Sequence, residues 1–347
     1  MAAIIAILKA LGRVIKRDLG TLRSIQFNNF FLFAMLLTYS SLASGKKPAG
    51  AAPFLALLGF VLLFPLSSDP LAKIPAIRLR LWPLTSGQWW RLRLASLGLS
   101  PVLWAAILVL ATTGNLVAAG MLLVIAVAAQ SFLLLVSSLA KRAPRWNPYR
   151  YVPQLPGTLG GLVRNNVRQM LTTLDLYVAI LVAMAGTAYR WLSAHPEPRA
   201  LPIMAFLVGV ALSTYAQCLF GLDSASGLTR YRLLPLRGWQ ILLAKDIAFL
   251  GILFALVLPL SPGPGLTFGL VAVTAGRYPS VVFRLQQKRW RFTSGDFRFG
   301  VLQMIFGTAL GFAVYENGKW FLIAVIVAYI VALFAGGWLW DREHRRS

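Results

Sequence analysis

The sequence is poor in the residues that most often do chemistry. It has one cysteine, two histidines and ten acidic residues against 34 lysines and arginines. A lone cysteine excludes an internal disulfide framework, and Cys218 lies inside an apolar run, where such a residue serves packing. His195 and His344 are far from each other and from Cys218, so no zinc-ligand spacing exists and no metal site is expected. No G-x-x-x-x-G-K-[ST] occurs: Ser44-Gly45-Lys46-Lys47 lacks the preceding Gly and the following Ser or Thr. No G-x-S-x-G elbow is present either. No catalytic residue is assigned. No signal peptide is expected in the first residues, because the charges follow the short apolar start instead of preceding it and no small-residue cleavage site follows.

What the chain has is apolar length. It is 58% hydrophobic and 13% charged, the composition of a polytopic membrane protein. The net charge of +24 does not point to nucleic acid. The basic residues sit in short clusters between apolar runs, where positive-inside topology puts them and where they can hold the headgroups of membrane lipids.

The expected fold is all-α: a polytopic helical membrane protein with about ten transmembrane helices and an N-terminal interfacial helix. A bilayer core takes roughly 20 apolar residues as helix. Such runs fall at 28–44, 50–67, 95–113, 116–139, 173–192, 200–220, 246–261, 264–281, 299–315 and 319–339. Ahead of them, residues 1–25 place Ile4, Leu8, Leu11, Ile15, Leu19 and Leu22 on one helical face. Lys9, Arg13, Lys16 and Arg17 lie opposite, the pattern of a helix lying on a membrane surface.

Charge sets the topology. Alternate connections carry Lys73, Arg91, Lys141, Arg142, Arg145, Arg164, Arg284, Arg289 and Arg291, with Arg342, Arg345 and Arg346 in the tail. The opposite turns carry only Lys46, Lys47, Arg190, Arg199 and Lys319. Both termini are therefore expected in the cytoplasm.

One stretch occurs twice. Arg78-Leu79-Arg80-Leu81-Trp82-Pro83-Leu84-Thr85-Ser86-Gly87-Gln88 superposes without a gap on Arg230-Tyr231-Arg232-Leu233-Leu234-Pro235-Leu236-Arg237-Gly238-Trp239-Gln240. The shared pattern is R-x-R-L-x-P-L-x-x-x-Q, and Arg93 of the first copy aligns with Lys245 of the second. Asp69 and Asp223 precede the two copies at nearly the same distance, positioned to pair with a downstream Arg or to cap a span end. Each copy lies between two apolar runs on the same expected side, which makes the repeat parallel. The resulting organisation is an interfacial helix at 1–27, a first four-helix repeat at 28–140 and a basic loop at 141–172. A second four-helix repeat follows at 173–281, then a basic loop at 282–298, a final hairpin at 299–340 and a tail at 341–347. In the first copy Thr85 and Gln88 have the spacing of a capping box and predict a helix from about 86. Arg237 replaces the Thr in the second copy. Membrane anchoring accounts for Arg and Trp at an interface. A repeated pattern additionally suits a helix that docks on a cytosolic partner.

These residues resemble bacterial ABC-2-type exporter permeases. Residues 1–25 match the family's N-terminal elbow helix, and 83–94 occupy the place of its coupling helix. Phe220-Gly221-Leu222-Asp223, Tyr231-Arg232-Leu233-Leu234-Pro235-Leu236 and Gln240-Ile241-Leu242-Leu243-Ala244-Lys245 follow its FG-x-D, R-x-LP and QIL-x-x-K pattern. The usual permease has six spans, whereas about ten are read here. The resemblance implies a bacterial cytoplasmic (inner) membrane location, a cytosolic ABC ATPase subunit acting as a dimer, and a second permease copy or paralogue. No cofactor is bound directly; ATP acts through the separate ATPase. The ATPase-coupling residues implied are Arg78, Arg80, Gln88, Arg93, Arg230, Arg232, Gln240 and Lys245.

No Asp, Glu, Lys, Arg or His is expected in the central portions of the spans, which argues against a proton-coupled carrier. The polar residues there are Gln130, Gln217 and Gln303, candidates for a substrate pathway or, more plainly, for interhelical hydrogen bonds. Gly307 and Gly311 form a G-x-x-x-G that permits close helix approach, as in a dimer. Two other functions compete with an exporter of amphiphilic or apolar substrate. One is a membrane-embedded enzyme on lipid-linked substrates using Asp69, Asp175, Asp223 or Asp296; the other is a structural scaffold.

Overall fold

The computed structural model describes residues 2–20, 26–30, 32–33, 71, 82, 84–99 and isolated helical positions between 103 and 128. It further describes 157–345, apart from 158, 194, 196, 224–230, 232–234 and 288. The chain divides into two compact units, Met1–Ile25 with Phe31–Trp146, and Gln26–Phe30 with Asn147–Ser347.

In the first unit, α1 (Ala2–Gly20) is the amphipathic helix that the sequence predicts. Its apolar face is taken up by protein. Ile4, Ile7 and Leu11 are buried with Leu71 and with Leu92 of α2 (Ser86–Leu97), while Lys9 and Arg13 stay exposed. The buried stripe includes Ile7, which the helical-wheel reading leaves out. α2 starts where the capping box sets it: the Gln88 N–H donates to Thr85 Oγ1 (3.4 Å) and the Thr85 N–H to Gln88 Oε1 (3.0 Å). The predicted spans 28–44, 50–67, 95–113 and 116–139 fall largely outside the described residues.

The second unit holds seven helices among its described residues: α3 (Gly160–Met170), α4 (Leu174–Leu192), α5 (Ala200–Ala216), α6 (Gly238–Val257), α7 (Pro262–Tyr278), α8 (Phe297–Asn317) and α9 (Lys319–Arg345). α7 runs on into a wider turn at Pro279–Phe283. Gly238–Val257, Pro262–Phe283, Phe297–Asn317 and Trp320–Glu343 are long and apolar enough to cross a membrane, and α5 is a shorter apolar helix. The outer faces of α8 and α9 expose Ile305, Phe306, Val327, Val331 and Phe334, side chains that lipid solvates and water does not. The chain is a helical membrane protein.

α5 is apolar all round and buried along most of its length, so it forms the middle of the unit with α7. Close approach depends on glycine. Phe268 of α7 lies between Gly209 of α5 and Gly307 of α8, and a Cβ at either glycine would stand 2.6 or 2.7 Å from the ring. Gly311 admits Phe206 in the same way, which in turn packs on Phe312 with ring centroids 5.1 Å apart. The G-x-x-x-G of α8 is thus filled from within its own unit.

Among the described residues the fold is helical apart from one short pairing, β1 (Gln26–Phe27) antiparallel to β2 (Gly295–Asp296). Two expectations need correction. The 141–172 segment contains α3, whose Val163 packs against Ala244 and Ala248 of α6; its few apolar residues are masked by Arg and Asn in sequence. The 282–298 segment is not a loose basic loop. Phe292, Thr293 and Ser294 are buried there, and the Trp290 N–H donates to the Thr172 carbonyl (2.5 Å). The second motif copy runs as helix from Gly238 into the 246–261 run, so Gln240, Lys245 and Asp246 all lie inside α6.

Candidate functional site

The second copy of the repeated motif leads into α6, and its polar residues are used locally. Gln240 Oε1 accepts from the Arg237 N–H (2.8 Å), the same contact that Gln88 makes with Thr85. The repeated Gln therefore folds its side chain back on the helix start in both copies, although Arg237 cannot complete the box as Thr85 does. α2 and α6 begin at Ser86 and Gly238, equivalent places in the two motifs. Asp341 of α9 caps the start of α6, its Oδ1 accepting from the Gly238 N–H (3.1 Å). A Cβ at Gly238 would lie 2.5 Å from the Gly337 carbonyl, so the two backbones meet there.

Lys245 is buried and makes three contacts. Its Nζ donates to Asp223 Oδ2 (2.8 Å), to the Leu219 carbonyl (2.7 Å) and to Asn166 Oδ1 (3.0 Å). It also stands 4.5 Å from the centroid of Phe220, within cation–π range. Asp223 takes two further donors, Gln169 Nε2 (2.6 Å) and the Tyr231 hydroxyl (3.3 Å). Burial, with the adjacent Asp223 carboxylate, pushes the Tyr231 hydroxyl far up, so it remains a donor. The FG-x-D aspartate and the QIL-x-x-K lysine are thus one ion pair, tying α6 to α3 and to the end of α5.

The next residue makes the second pair. Asp246 receives Arg277 in a two-pronged contact, Nη1 to Oδ1 at 3.0 Å and Nη2 to Oδ2 at 2.5 Å. The Tyr329 hydroxyl adds a third donor at 3.0 Å. Asp246, Arg277 and Tyr329 belong to α6, α7 and α9, so one carboxylate joins three membrane-length helices. The expectation of spans without central ionisable groups fails here. The sequence sets these charges at span edges, where they read as interfacial; pairing lets them enter the bundle.

Two of the three pathway glutamines meet each other. Gln217 Nε2 donates to Gln303 Oε1 (2.8 Å), and Asn29 Nδ2 donates to the same oxygen (2.8 Å). Gln303 Nε2 reaches the Ala272 carbonyl (2.7 Å), and Asn29 also bonds Ser213 and Thr214. All are buried, an interhelical network in form. Beside it, Asp175 accepts from Asn28 Nδ2 (2.6 Å), the Thr293 N–H (2.8 Å) and the Thr293 hydroxyl (3.1 Å). Asp296 caps α8 through the Arg298 N–H (2.9 Å). Burial works against the Asp296 carboxylate, but the Arg298 hydrogen bonds outweigh it and hold its carboxyl below the usual range.

Of the sequence-derived site residues, Lys245, Gln240, Gln217 and Gln303 lie in the second unit, the first two on one helix and the last two in contact. Gln88 and Arg93 lie on α2, where Arg93 is half-buried and its Nε has no hydrogen-bond partner among the described residues. Arg78, Arg80, Arg230, Arg232 and Gln130 lie outside the described residues, as does Asp69. Sequence reasoning misses Asn166, Gln169, Tyr329 and the Asn28–Asn29 pair. Two adjacent asparagines just before an apolar run are the one signal for the last, since burying them requires partners. No family model, curated protein or solved structure matches this chain.

Proposed function

We propose that the chain is the membrane-spanning permease subunit of an ATP-driven ABC-type exporter. It sits in the bacterial cytoplasmic membrane with both termini inside, has about ten spans in a parallel repeat, and pairs with a second permease copy or paralogue. A cytosolic ABC ATPase dimer supplies the energy, and an amphiphilic or apolar substrate is moved. The segments at 83–94 and 235–246 receive the ATPase.

The observation that carries this reading is the way α6 is tied in. Its start is capped by Asp341, its Lys245 holds Asp223 after α5, and its Asp246 holds α7 and α9 through Arg277 and Tyr329. A displacement applied at Pro235–Gln240 moves a helix already bonded to its neighbours, so force at the motif reaches the spans without a flexible step. Buried charge pairs resist being pulled apart, because each separated ion would cost several kcal/mol, on the order of 3–5. That is the behaviour required of a coupling element between a cytosolic motor and a helix bundle.

Affinity purification of the full-length chain in mild detergent tests the reading. A stoichiometric cytosolic ATPase with measurable ATP hydrolysis is expected. A monodisperse preparation that carries no ATPase overturns it.

A further inference from the structure

We propose that the strap Gln26–Phe30 is a removable plug over the Gln217–Gln303 pair, seated in this structure and withdrawn when ATP acts on the complex. This rests on the exporter reading and deepens it by naming what closes the glutamine pair. Residues on both sides of the strap, Met1–Ile25 and Phe31–Trp146, belong to the first unit, whereas the strap itself lies in the second. The segment 83–94, which receives the ATPase in that reading, also belongs to the first unit. A displacement of the first unit therefore pulls on the strap through the covalent chain at both ends.

Asn29 fills a fitted socket. Its N–H donates to Thr214 Oγ1 (2.8 Å), and its Nδ2 to Ser213 Oγ (2.8 Å) and Gln303 Oε1 (2.8 Å). A Cβ at Gly300 would run into Asn29 Oδ1, and one at Gly295 into Gln217 Oε1, so two glycines keep the socket open. Asn29 and both glutamines are buried. The fit is incomplete at one point: Gln217 Oε1 has no hydrogen-bond partner among the described residues. A buried acceptor without a donor raises the free energy of the seated state, which lowers the cost of leaving it.

The strap is also built to let go. None of its five residues is charged, and its pairing with β2 is two residues long. Asn28 Nδ2 donates to Asp175 Oδ1 (2.6 Å) and to the Thr293 carbonyl (2.8 Å). When Asn28 leaves, Asp175 keeps the Thr293 N–H and hydroxyl as donors, so no bare carboxylate is left behind. The ion pairs of α6 differ, because separating either one strands a buried charge. Hydrogen bonds of neutral groups exchange for water at little net cost, so a pull on the second unit is released first at the strap.

The test uses the full-length chain with its co-purified ATPase in nanodiscs, and its reporter is Cys218, the only cysteine of the chain. Cys218 is buried and follows Gln217; its thiol donates to the carbonyl of Ser294 (3.4 Å), the residue after the Thr293 that holds Asn28. Modification of Cys218 by N-ethylmaleimide, read by peptide mass, is expected to speed up at least about fivefold during ATP hydrolysis relative to the nucleotide-free complex, because labelling of an enclosed thiol follows the open population. Gln26→Cys/Asp296→Cys tethers the strap, since these are opposite residues of β1 and β2. Opposite Cα atoms of an antiparallel pair lie about 4.5–5.5 Å apart, within disulfide reach. The oxidised tether should abolish the acceleration, and dithiothreitol should restore it. Equal wild-type rates with and without ATP, in a complex that hydrolyses ATP, overturn the inference whatever the tethered variant does, and leave the exporter reading standing. So does an acceleration that survives the oxidised tether, because Cys218 is then uncovered by something other than the strap. A wild-type chain that brings no ATPase removes both.

Discussion

Lys245 and Asp223 face each other at 2.8 Å with side chains almost wholly enclosed, and every donor position of the ammonium is used. Removing one partner strands the other. Lys245→Met should destabilise the fold by about 3–5 kcal/mol, because a buried carboxylate is left uncompensated. The double variant Asp223→Asn/Lys245→Met should cost clearly less than the sum of the single changes. A double-mutant cycle on unfolding in detergent checks this; additive costs would mean that the two groups do not interact.

The Asp246 cluster should be graded. Tyr329→Phe deletes one donor to a charged acceptor and is expected to cost about 1.5–3 kcal/mol. Arg277→Lys should cost more than Tyr329→Phe, because an ammonium cannot reproduce the two-pronged guanidinium contact. Thermal unfolding of the two variants side by side gives the order.

Gly307→Ala should destabilise the single chain by about 1–3 kcal/mol, since the added methyl meets the Phe268 ring. Its oligomeric state should not change. Light scattering of the purified variant, alongside its melting curve, separates this from a dimer contact, which would shift mass and leave the monomer's stability alone.

Gln88→Ala and Gln240→Ala should each cost only about 0.5–2 kcal/mol, the range of a lost helix cap. Neither should weaken ATPase retention beyond that, because each Gln Oε1 is committed to its own helix start. Full loss of the partner in Gln240→Ala at normal stability would make the side chain a direct contact.

The helices were largely legible from apolar length: 173–192, 299–315 and 319–339 anticipate α4, α8 and α9 closely. The start of α2 was legible because Thr85 and Gln88 define it by local bonding alone. The second motif copy likewise led from Gln240 into α6. The burial of Lys245 and Asp246 was not legible, because only tertiary pairing with Asp223 and Arg277 allows it. The same holds for 282–298, where Thr293 and Ser294 are buried among hydrogen bonds to Asp175, Asn28 and Cys218, and half-buried Gln287 bonds the Gly221 carbonyl. Hydropathy reports transfer to lipid, not the availability of a partner, so segments of this kind read as loops. For the candidate site, the motif identified Lys245 and Asp223 as notable residues but not as each other's partner. Twenty-odd residues of helix end and connection separate them, and only the fold closes that gap.

The most direct measurement of the central claim is transport-coupled ATPase activity of the reconstituted complex carrying Arg80→Glu and Arg232→Glu. Both positions belong to the repeated R-x-R-L-x-P-L pattern. The account predicts that the ATPase dissociates and coupled turnover is abolished while the membrane helices stay folded. Retention of coupled ATPase activity by the double variant would contradict the assignment of the repeated motif as the place where a motor acts on this chain.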